Sequence, residues 1–243
     1  MEPVLELLSR HSSVRDFLPE PVPDSVVREC VAAAQQAATS SNVQGYGLLQ
    51  VTDPEVRAEL ADAAGGQAQV REAGALFVVH ADQRRFRLVA EELEKPFAPN
   101  LEAFLVEVID AALFAQNLVV AFEARGLGTC YIGGLRNDLD RVRELLAAPE
   151  GVLPLFGLCV GTPAERPAAK PRLSVDAVLH RDRYPTDDEV REGVAEYDRR
   201  MGAYYAERGL AGRNWSGGVH RKFMTPQRTH LARFYGEQGA VLE

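Results

Sequence analysis

The sequence has few cysteines and no long apolar run. Its three cysteines, Cys30, Cys130 and Cys159, are odd in number and widely spaced, which fits reduced, buried thiols better than a disulfide framework or a metal site. The longest apolar stretches, such as Ala75 to Val79 and Leu118 to Phe122, are far shorter than the roughly 18 residues that a membrane span requires. The amino terminus lacks the basic start and apolar stretch of a secretory signal. We therefore expect a cytoplasmic protein that does not cross a bilayer.

Concentrations of positive charge are also scarce. The 243 residues carry a net charge of −8, and only three of the 27 basic residues are lysines. No run of Lys and Arg interleaved with aromatic residues occurs, and the field of an acidic chain repels nucleic acid. The charge pattern predicts no nucleic-acid partner. A phosphorylated small ligand would need a local group of cations.

Motifs for nucleotide loops, hydrolysis and metal binding are missing as well. The chain has no Walker loop, no Gly-x-Ser-x-Gly elbow and no His-Glu-x-x-His helix, and its five histidines include no i, i+4 pair. The glycine-rich segment Gly126 to Tyr131 follows a predicted helix instead of a strand, and Tyr131 stands where a dinucleotide fingerprint has its third glycine. We expect no metal site, and a cofactor that carries the demanding chemistry itself.

Helical and strand patterns alternate without a repeat or a long linker, which predicts one domain over residues 1–243. Apolar residues three and four positions apart predict a long helix from Leu101 to Arg125. Another helix is predicted from Asp24, as its N-cap, to about Ala38. Short apolar runs bounded by turn residues predict four core strands: Tyr46 to Thr52, Ala75 to Ala81, one that ends at Ile132, and Leu153 to Gly161.

Two segments carry cations that suit a phosphate group. His11 precedes Ser13 and Arg15, where Arg15 offers a bidentate guanidinium fork and Ser13 a hydroxyl donor. Lys170 and Arg172 flank a rigid proline and can hold one phosphate from two sides. Taken separately, a polar helix end and a solvated loop explain the two segments equally well.

Two further regions carry amides, hydroxyls and glycines. Ser40, Asn42 and Gln44 follow a predicted helix, and their side chains suit a ring edge with alternating donors and acceptors. Gln67 adds an amide after two glycines. In the segment Tyr131-Ile132-Gly133-Gly134, adjacent glycines end a strand where a helix begins, so a backbone amide can approach a planar ligand. An ordinary helix-stop loop and a simple glycine turn are the alternatives.

These segments, in this order and at this spacing, resemble the nitroreductase superfamily over essentially the whole chain. The runs Leu153 to Gly161 and Tyr204 to Gly209 are similar to the oxygen-insensitive NADPH nitroreductases of the major bacterial type and to the NADPH:FMN oxidoreductases of luminous bacteria. The resemblance implies an α+β fold with a central, mostly antiparallel sheet flanked by helices. It further implies an intertwined homodimer in which a C-terminal arm, about 187–243, wraps the partner and carries an NADPH loop.

The resemblance also implies a ligand for each segment. Arg208 and Arg213 correspond to the pair that holds the 2′-phosphate of NADPH. The residues that correspond to FMN contacts are His11, Ser13, Arg15, Ser40, Asn42, Gln44, Gln67, Tyr131, Ile132, Gly133, Gly134, Lys170 and Arg172. The subgroup has Arg after the first histidine, whereas this chain has Ser12. One phosphate cation is therefore missing, which bears on how firmly FMN is retained.

The activity that the resemblance implies is a ping-pong reaction. NADPH delivers hydride to FMN, and an acceptor such as a nitroaromatic or a quinone then takes two electrons, without a dedicated catalytic side chain. One alternative is an NADPH:FMN reductase that supplies free reduced flavin to a partner monooxygenase. Two others are a flavin-binding regulatory protein without turnover and a structural dimer without flavin.

Overall fold

The computed structural model of the chain describes residues 4–242 and contains two compact units. The first unit consists of Met1–Pro167 together with His230–Glu243, and the second of Ala168–Thr229. The first unit contains the sheet and most of the helices. The second is built from helices and loops.

Four strands form one sheet in the first unit, in the order β1-β2-β4-β3, and every neighbouring pair is antiparallel. The strands are β1 (Tyr46–Val51), β2 (Ala75–Asp82), β3 (Gly128–Ile132) and β4 (Val152–Gly161). All eight residues of β2 are buried, because helices and neighbouring strands cover this central strand, as its unbroken apolar run predicts. The four predicted strands and the expected α+β fold are confirmed.

Helices flank this sheet in the same unit. They are α1 (Val4–Ser9), α2 (Asp24–Ala34), α3 (Pro54–Ala63), α4 (Ala68–Glu72), α5 (Gln83–Glu92), α6 (Leu101–Ala124), α7 (Leu139–Leu145) and α10 (Leu231–Glu237). The predicted start of α2 at Pro23-Asp24 is confirmed, but the predicted N-cap and the predicted end were wrong. Pro23 is the N-cap and Asp24 lies in the first turn, and the helix ends at Ala34 instead of Ala38. Pro23 fixes φ before the helix, and Asp24 carries a charge that the helix N-terminus favours.

The long helix α6 lies at the centre of the first unit and packs against α2, β1, β2 and β3. Its Phe114 ring stacks on Tyr46 at 4.3 Å, and its Phe122 ring lies 5.8 Å from Phe77. By length and composition alone, α6 could cross a membrane. Its packing on the sheet instead makes it the core helix of this unit, as its predicted boundaries and apolar face indicated.

One stripe of α6 remains uncovered in the single chain. Four apolar residues at a spacing of four, Leu101, Leu105, Ile109 and Leu113, are between 41% and 55% exposed. Because residues four apart share one face of a helix, they form a continuous apolar stripe on the surface of the unit.

The second unit contains α8 (Asp187–Ala206), α9 (Trp215–Phe223) and a 3₁₀ turn at Val175–Ala177. Thr186 and Glu189 form a capping box that starts α8. The chain returns to the first unit at α10, where Phe234 and Tyr235 are buried in the core and the Tyr235 hydroxyl donates to the carbonyl of Pro154 at 2.9 Å. The three cysteines are buried and free, as predicted.

Candidate functional site

The segment that carries Ser13 and Arg15 lies along the outer edge of β3. Ser13 forms a parallel bridge with Thr129, and the backbone amide of Val14 donates to the carbonyl of Thr129 at 2.9 Å. A Cβ on Gly128 would lie 2.7 Å from a Val14 methyl group, so glycine allows this close pairing. Burial raises the pKa of the Cys130 thiol, and the neighbouring Arg15 guanidinium opposes that rise. The Arg15 side chain is exposed, and its guanidinium donates to the carbonyl of Ser13 at 3.5 Å.

His11 is anchored by a residue that the sequence did not single out. Its Nδ1 lies 2.8 Å from a carboxylate oxygen of Glu123, which also accepts a hydrogen bond from the Thr129 hydroxyl at 2.9 Å. Glu123 is largely buried near the end of α6, whereas His11 is half-buried. The carboxylate therefore orients the imidazole at the same sheet edge as Ser13.

Further along this edge, the structure brings Gln67 against the two glycines. Glycine is required at 134 because a Cβ there would clash with the Gln67 carboxamide and lie 2.5 Å from the carbonyl of Ala64. At Gly133 the Cβ would approach the Arg136 guanidinium at 3.1 Å. A Cβ at either glycine would therefore meet protein groups, and the backbone approach of a ligand that the sequence predicts here stays a prediction. Their effect is to seat Gln67 beside the end of β3.

The β3 edge fits an elongated, phosphorylated ligand with a flat polar ring. At one end stand a guanidinium, an imidazole and a hydroxyl, from Arg15, His11 and Ser13. From Thr129 to Ile132 the strand covers roughly 10 Å at about 3.3 Å per residue, and the Tyr131 ring stands edge-on to Phe156. At the far end lie the Gln67 carboxamide and the glycine backbone. Cations at one end and amides at the other are the donor set that FMN requires.

The loop with Ser40, Asn42 and Gln44 has an unusual backbone conformation, and a buried carboxylate of α6 holds it. Asn42 and Gln44 have φ values of +58° and +54°, in the left-handed region that costs non-glycine residues roughly 1–2 kcal/mol each. Asp110 of α6 is 1% exposed, and its two carboxylate oxygens accept the backbone amides of Ser40 and Gly45, each at 3.0 Å. Asp110 thus fixes both ends of the loop and leaves the three predicted side chains exposed.

This loop and the β3 edge lie at opposite edges of one sheet. The loop leads into β1, which is the first strand in the order β1-β2-β4-β3. The loop is anchored at Asp110, whereas His11 is anchored at Glu123, thirteen residues further along α6, or about 20 Å at the helical rise. The two largely buried strands β2 and β4 separate the edges. A single chain therefore does not bring Ser40, Asn42 and Gln44 next to Gly134 and Gln67.

A second buried carboxylate lies under the same loop. Glu107 is 1% exposed, and neither of its oxygens makes a well-formed hydrogen bond within residues 4–242. Burial raises the pKa of Glu107 to about 7; the adjacent Gln83 lowers it, and the charge of Asp82 raises it further. Glycine is needed at Gly45, because a Cβ there would lie 2.7 Å from Cγ of Glu107. The sequence carries one signal for these two buried carboxylates, because Glu107 and Asp110 are acidic residues within a largely apolar helix.

The remaining predicted cations belong to the second unit. Lys170 and Arg172 are exposed, and the Arg172 guanidinium donates to the carbonyl of Lys170 at 3.2 Å. The Tyr197 hydroxyl donates to the carbonyl of Pro171, between them, at 2.8 Å. This contact ties the Lys170–Arg172 segment to α8 and keeps both charged ends free to face solvent.

The two arginines of the predicted NADPH loop have different surroundings. The Arg208 guanidinium stacks 3.6 Å from the centre of the Tyr204 ring and lies 3.8 Å from a carboxylate oxygen of Glu207. Arg213 instead lines a pocket of about 250 Å³ at the start of α9, which Arg208 does not line. Gly209 and Gly212 have positive φ and turn the chain between the two arginines.

Comparison with known proteins gives consistent matches over the whole chain. A model of the nitroreductase family matches residues 8–162, and a model of the C-terminal domain of that family matches residues 170–243. The chain is 41% identical over 245 residues to an FMN reductase (NADPH) of Bacillus subtilis (strain 168), with 98% of each chain covered. It is 38% identical over 242 residues to an oxygen-insensitive NADPH nitroreductase of Salmonella typhimurium (strain LT2), again with 98% of each covered.

A solved structure shows the same agreement in three dimensions. The NfrA1 nitroreductase of B. subtilis superposes with a TM-score of 0.95 at 40% sequence identity, covering 98% of this chain and 99% of that one. The similarity therefore includes both units of the chain.

Proposed function

This chain belongs to the nitroreductase family, and on that premise we propose that it is an FMN-dependent oxidoreductase driven by NADPH. It takes a hydride from NADPH and passes two electrons to an acceptor. Bound FMN supplies the redox chemistry, and the protein supplies binding, orientation and charge. Two-electron acceptors of the nitroaromatic and quinone classes are the proposed substrates.

The residues of the chain have separate tasks in this proposal. Arg15, His11 and Ser13 bind the phosphate end of FMN, with Lys170 and Arg172 as additional cations. Glu123 holds the His11 ring in one orientation beside the phosphate. The proposal needs no side chain as a dedicated acid or base, because solvent supplies the protons.

Gln67 and the Gly133–Gly134 backbone face the ring end of FMN, and Tyr131 and Ile132 lie between the two ends. Gln67 is pre-positioned, because its carboxamide donates to the carbonyl of Ala64 at 2.9 Å and accepts from Gln69 at 2.9 Å. A side chain held in this way loses little conformational freedom when a ligand arrives. Gln67 is therefore in place before FMN binds.

The observation that carries the proposal is the placement of the two groups at opposite sheet edges. Since one chain keeps Ser40, Asn42 and Gln44 away from its own Gln67 and Gly134, a second copy must supply that loop to complete a site. The exposed stripe from Leu101 to Leu113 lies on the helix that holds the loop. We propose that two copies pack through this stripe, because an apolar stripe of this extent favours burial against a partner.

The chain functions as one domain in this dimer, and the C-terminal arm, about 187–243, wraps the partner. Arg208 and Arg213 in that arm hold the 2′-phosphate of NADPH. Three buried, free thiols suit a reducing compartment, which supports a cytoplasmic location.

A second function is favoured by one residue. Ser12 offers a hydroxyl where the subgroup has a guanidinium, so the phosphate of FMN meets one positive charge fewer. A weaker hold on FMN would suit an NADPH:FMN reductase that releases reduced flavin, and the relative that is 41% identical carries the name FMN reductase (NADPH).

A visible spectrum of the purified protein, followed by anaerobic titration with NADPH, tests both functions. Flavin absorbance that survives gel filtration and bleaches with one equivalent of NADPH per site supports the oxidoreductase with resident FMN. Colour that is lost on the column, together with turnover of added FMN, supports the flavin reductase. A protein that neither binds FMN nor oxidises NADPH contradicts both.

A further inference from the structure

The segment from Arg199 to Arg228 carries a concentration of positive charge. It contains seven Lys and Arg residues and one acid, Glu207, in a chain whose net charge is −8. Three of these cations, Arg213, Arg221 and Lys222, line the 250 Å³ pocket at α9, together with the aromatic residues Tyr205, Trp215 and Phe223. Of these three cations, the family resemblance pointed to Arg213 alone.

The wall of this pocket is rigidly held. The Trp215 ring lies 5.5 Å from Tyr197, whose hydroxyl is bound to the Pro171 carbonyl. Asp198 of α8 accepts the backbone amide of Ser216 at 2.8 Å and also its hydroxyl. These contacts fix the first turn of α9 on α8, so the indole is a pre-formed surface on which a flat ring can stack.

The cations of the pocket are not consumed by internal ion pairs. Across residues 4–242, neither Arg213 nor Arg221 nor Lys222 makes a salt bridge, whereas Arg191, Arg200 and Arg208 of the same unit each pair with an acid. The Arg221 guanidinium lies back along α9, 3.6 Å from the position of a Cβ on Gly217. It therefore points toward the end of the helix where Arg213 lies.

Three cations beside aromatic rings suit a phosphate monoester on a nucleotide. Such a group carries a charge of about −1.5 to −2 at neutral pH, more than a carboxylate or a phosphodiester. The pocket is smaller than the roughly 300–1,000 Å³ of sites that enclose a whole ligand, so it takes one end of a longer molecule. NADPH and free FMN both have a phosphate monoester at one end, but NADPH also has an adenine ring next to it.

We propose that Arg221 and Lys222 join Arg213 in a site for the adenosine 2′-phosphate of NADPH, with Trp215 as the stacking surface. This assignment rests on the proposed function. It makes the preference for NADPH over NADH depend on α9 as well as on the loop that carries Arg208.

Steady-state kinetics of the holoenzyme with Arg221→Gln and Lys222→Gln test the assignment. Each variant should raise KM for NADPH about tenfold and leave KM for NADH within twofold, because NADH lacks the 2′-phosphate. Inhibition by adenosine 2′-monophosphate should weaken by the same factor, while inhibition by adenosine 5′-monophosphate should not. Arg191→Gln, at the start of α8 and outside the pocket, is the matched control and should change none of these constants.

Equal changes with NADPH and NADH, or no change with either, overturn the assignment. A rise in KM for free FMN as acceptor, with KM for NADPH unaltered, overturns it in favour of a flavin phosphate. Arg191, Arg221 and Lys222 are exposed, so we expect their variants to keep the fold. Flavin absorbance and circular dichroism verify this. Failure of the wild-type protein to oxidise either nucleotide would instead contradict the proposed function.

Discussion

The carboxylate of Asp110 accepts the backbone amide of Ser40 at 3.0 Å, and its other oxygen accepts that of Gly45 at the same distance. One buried side chain therefore closes both ends of a loop whose interior residues adopt left-handed backbone conformations. Without this closure the loop would relax to conformations of lower energy. Asp110 is thus a positioning residue for the side chains that we assign to the flavin of the partner.

Asp110→Asn should weaken FMN binding by about tenfold or more. The Asn amide nitrogen cannot accept a hydrogen bond, so one backbone amide is left without its partner at a cost of roughly 1–3 kcal/mol, and the loop loses its shape. The dissociation constant for FMN is measured from the recovery of flavin fluorescence on dilution. Asp53→Asn, at the N-cap of α3, is the matched control, because Asn caps helices as well as Asp does.

Loss of FMN affinity without a matching fall in melting temperature would assign Asp110 to loop positioning. Equal losses of affinity and melting temperature would reduce it to a residue of the fold. Unchanged affinity would contradict the role of the loop in flavin binding.

Ile109→Glu should separate the dimer and remove FMN at the same time. Ile109 is 55% exposed in the single chain, so the charge does not disturb the core of its own unit, but it costs several kcal/mol when buried against a partner. Light scattering should report the mass of one chain, and the flavin absorbance should be lost. Leu93→Glu, at a residue that is 63% exposed next to α5, should leave both properties intact. A dimer of Ile109→Glu that keeps its FMN would exclude this face as the interface.

Glu107 should make the protein less stable as pH rises through neutrality. The pKa of Glu107 is about 7 in the folded chain against 4.5 for the ordinary carboxyl, so the folded state binds a proton that the unfolded state releases between these values. The contribution of Glu107 to the free energy of unfolding is therefore most favourable below about pH 4.5. It falls as pH rises to 7 and is constant above that value. The total loss in the free energy of unfolding is on the order of 3 kcal/mol.

Glu107→Gln removes this dependence, and urea denaturation at pH 5, 6, 7 and 8 measures it. The variant should match the wild type near pH 5 and exceed it at pH 8. Glu92→Gln, at an exposed position at the end of α5, should follow the wild type throughout. Parallel curves for Glu107→Gln and the wild type would mean that Glu107 is ionised in the folded chain at pH 6.

Gly134→Ala should lower both stability and FMN affinity. The added methyl group clashes with the Gln67 carboxamide and with the backbone at Ala64, and relief of such crowding costs roughly 1–3 kcal/mol. Thermal melts and flavin binding measure the two effects. Gly236→Ala in α10, where a Cβ meets nothing within 4 Å, should keep or raise the melting temperature. A Gly134→Ala protein with native FMN affinity would show that the Gln67 contact is dispensable.

Local pattern was enough to predict the main elements of the first unit. Apolar spacing located α6 within one residue of its end, because a helix that packs on a sheet must carry a continuous apolar face. The strand order could not be predicted, since the position of β4 between β2 and β3 depends on long-range pairing and leaves no periodic signal. The sequence alone therefore did not show that the flavin-contact segments fall on two different sheet edges.

The residues that support the candidate sites could not be predicted from the sequence, for a related reason. Asp110, Glu123 and Asp198 act on segments that are far away in sequence, and a single carboxylate in a helix is usually a solvated one. Their partners are backbone amides, hydroxyls and an imidazole, which have no complementary charge in the sequence to pair with them. The proposed contact residues have side chains that suit a ligand and match the motifs of the resembled family, whereas the supporting residues can be recognised only in the fold.

The placement of the loop and the β3 edge at opposite edges of the sheet has a consequence for mixtures of chains. In the proposed dimer, a chain that is defective only at Arg15 and a chain that is defective only at Asn42 would each, on its own, form two damaged sites. In the mixed dimer, one site contains both the altered Arg15 position and the altered Asn42 position. The other site contains neither. Two inactive proteins would then regain activity on being unfolded and refolded together, and the recovered fraction would count the sites assembled from two chains.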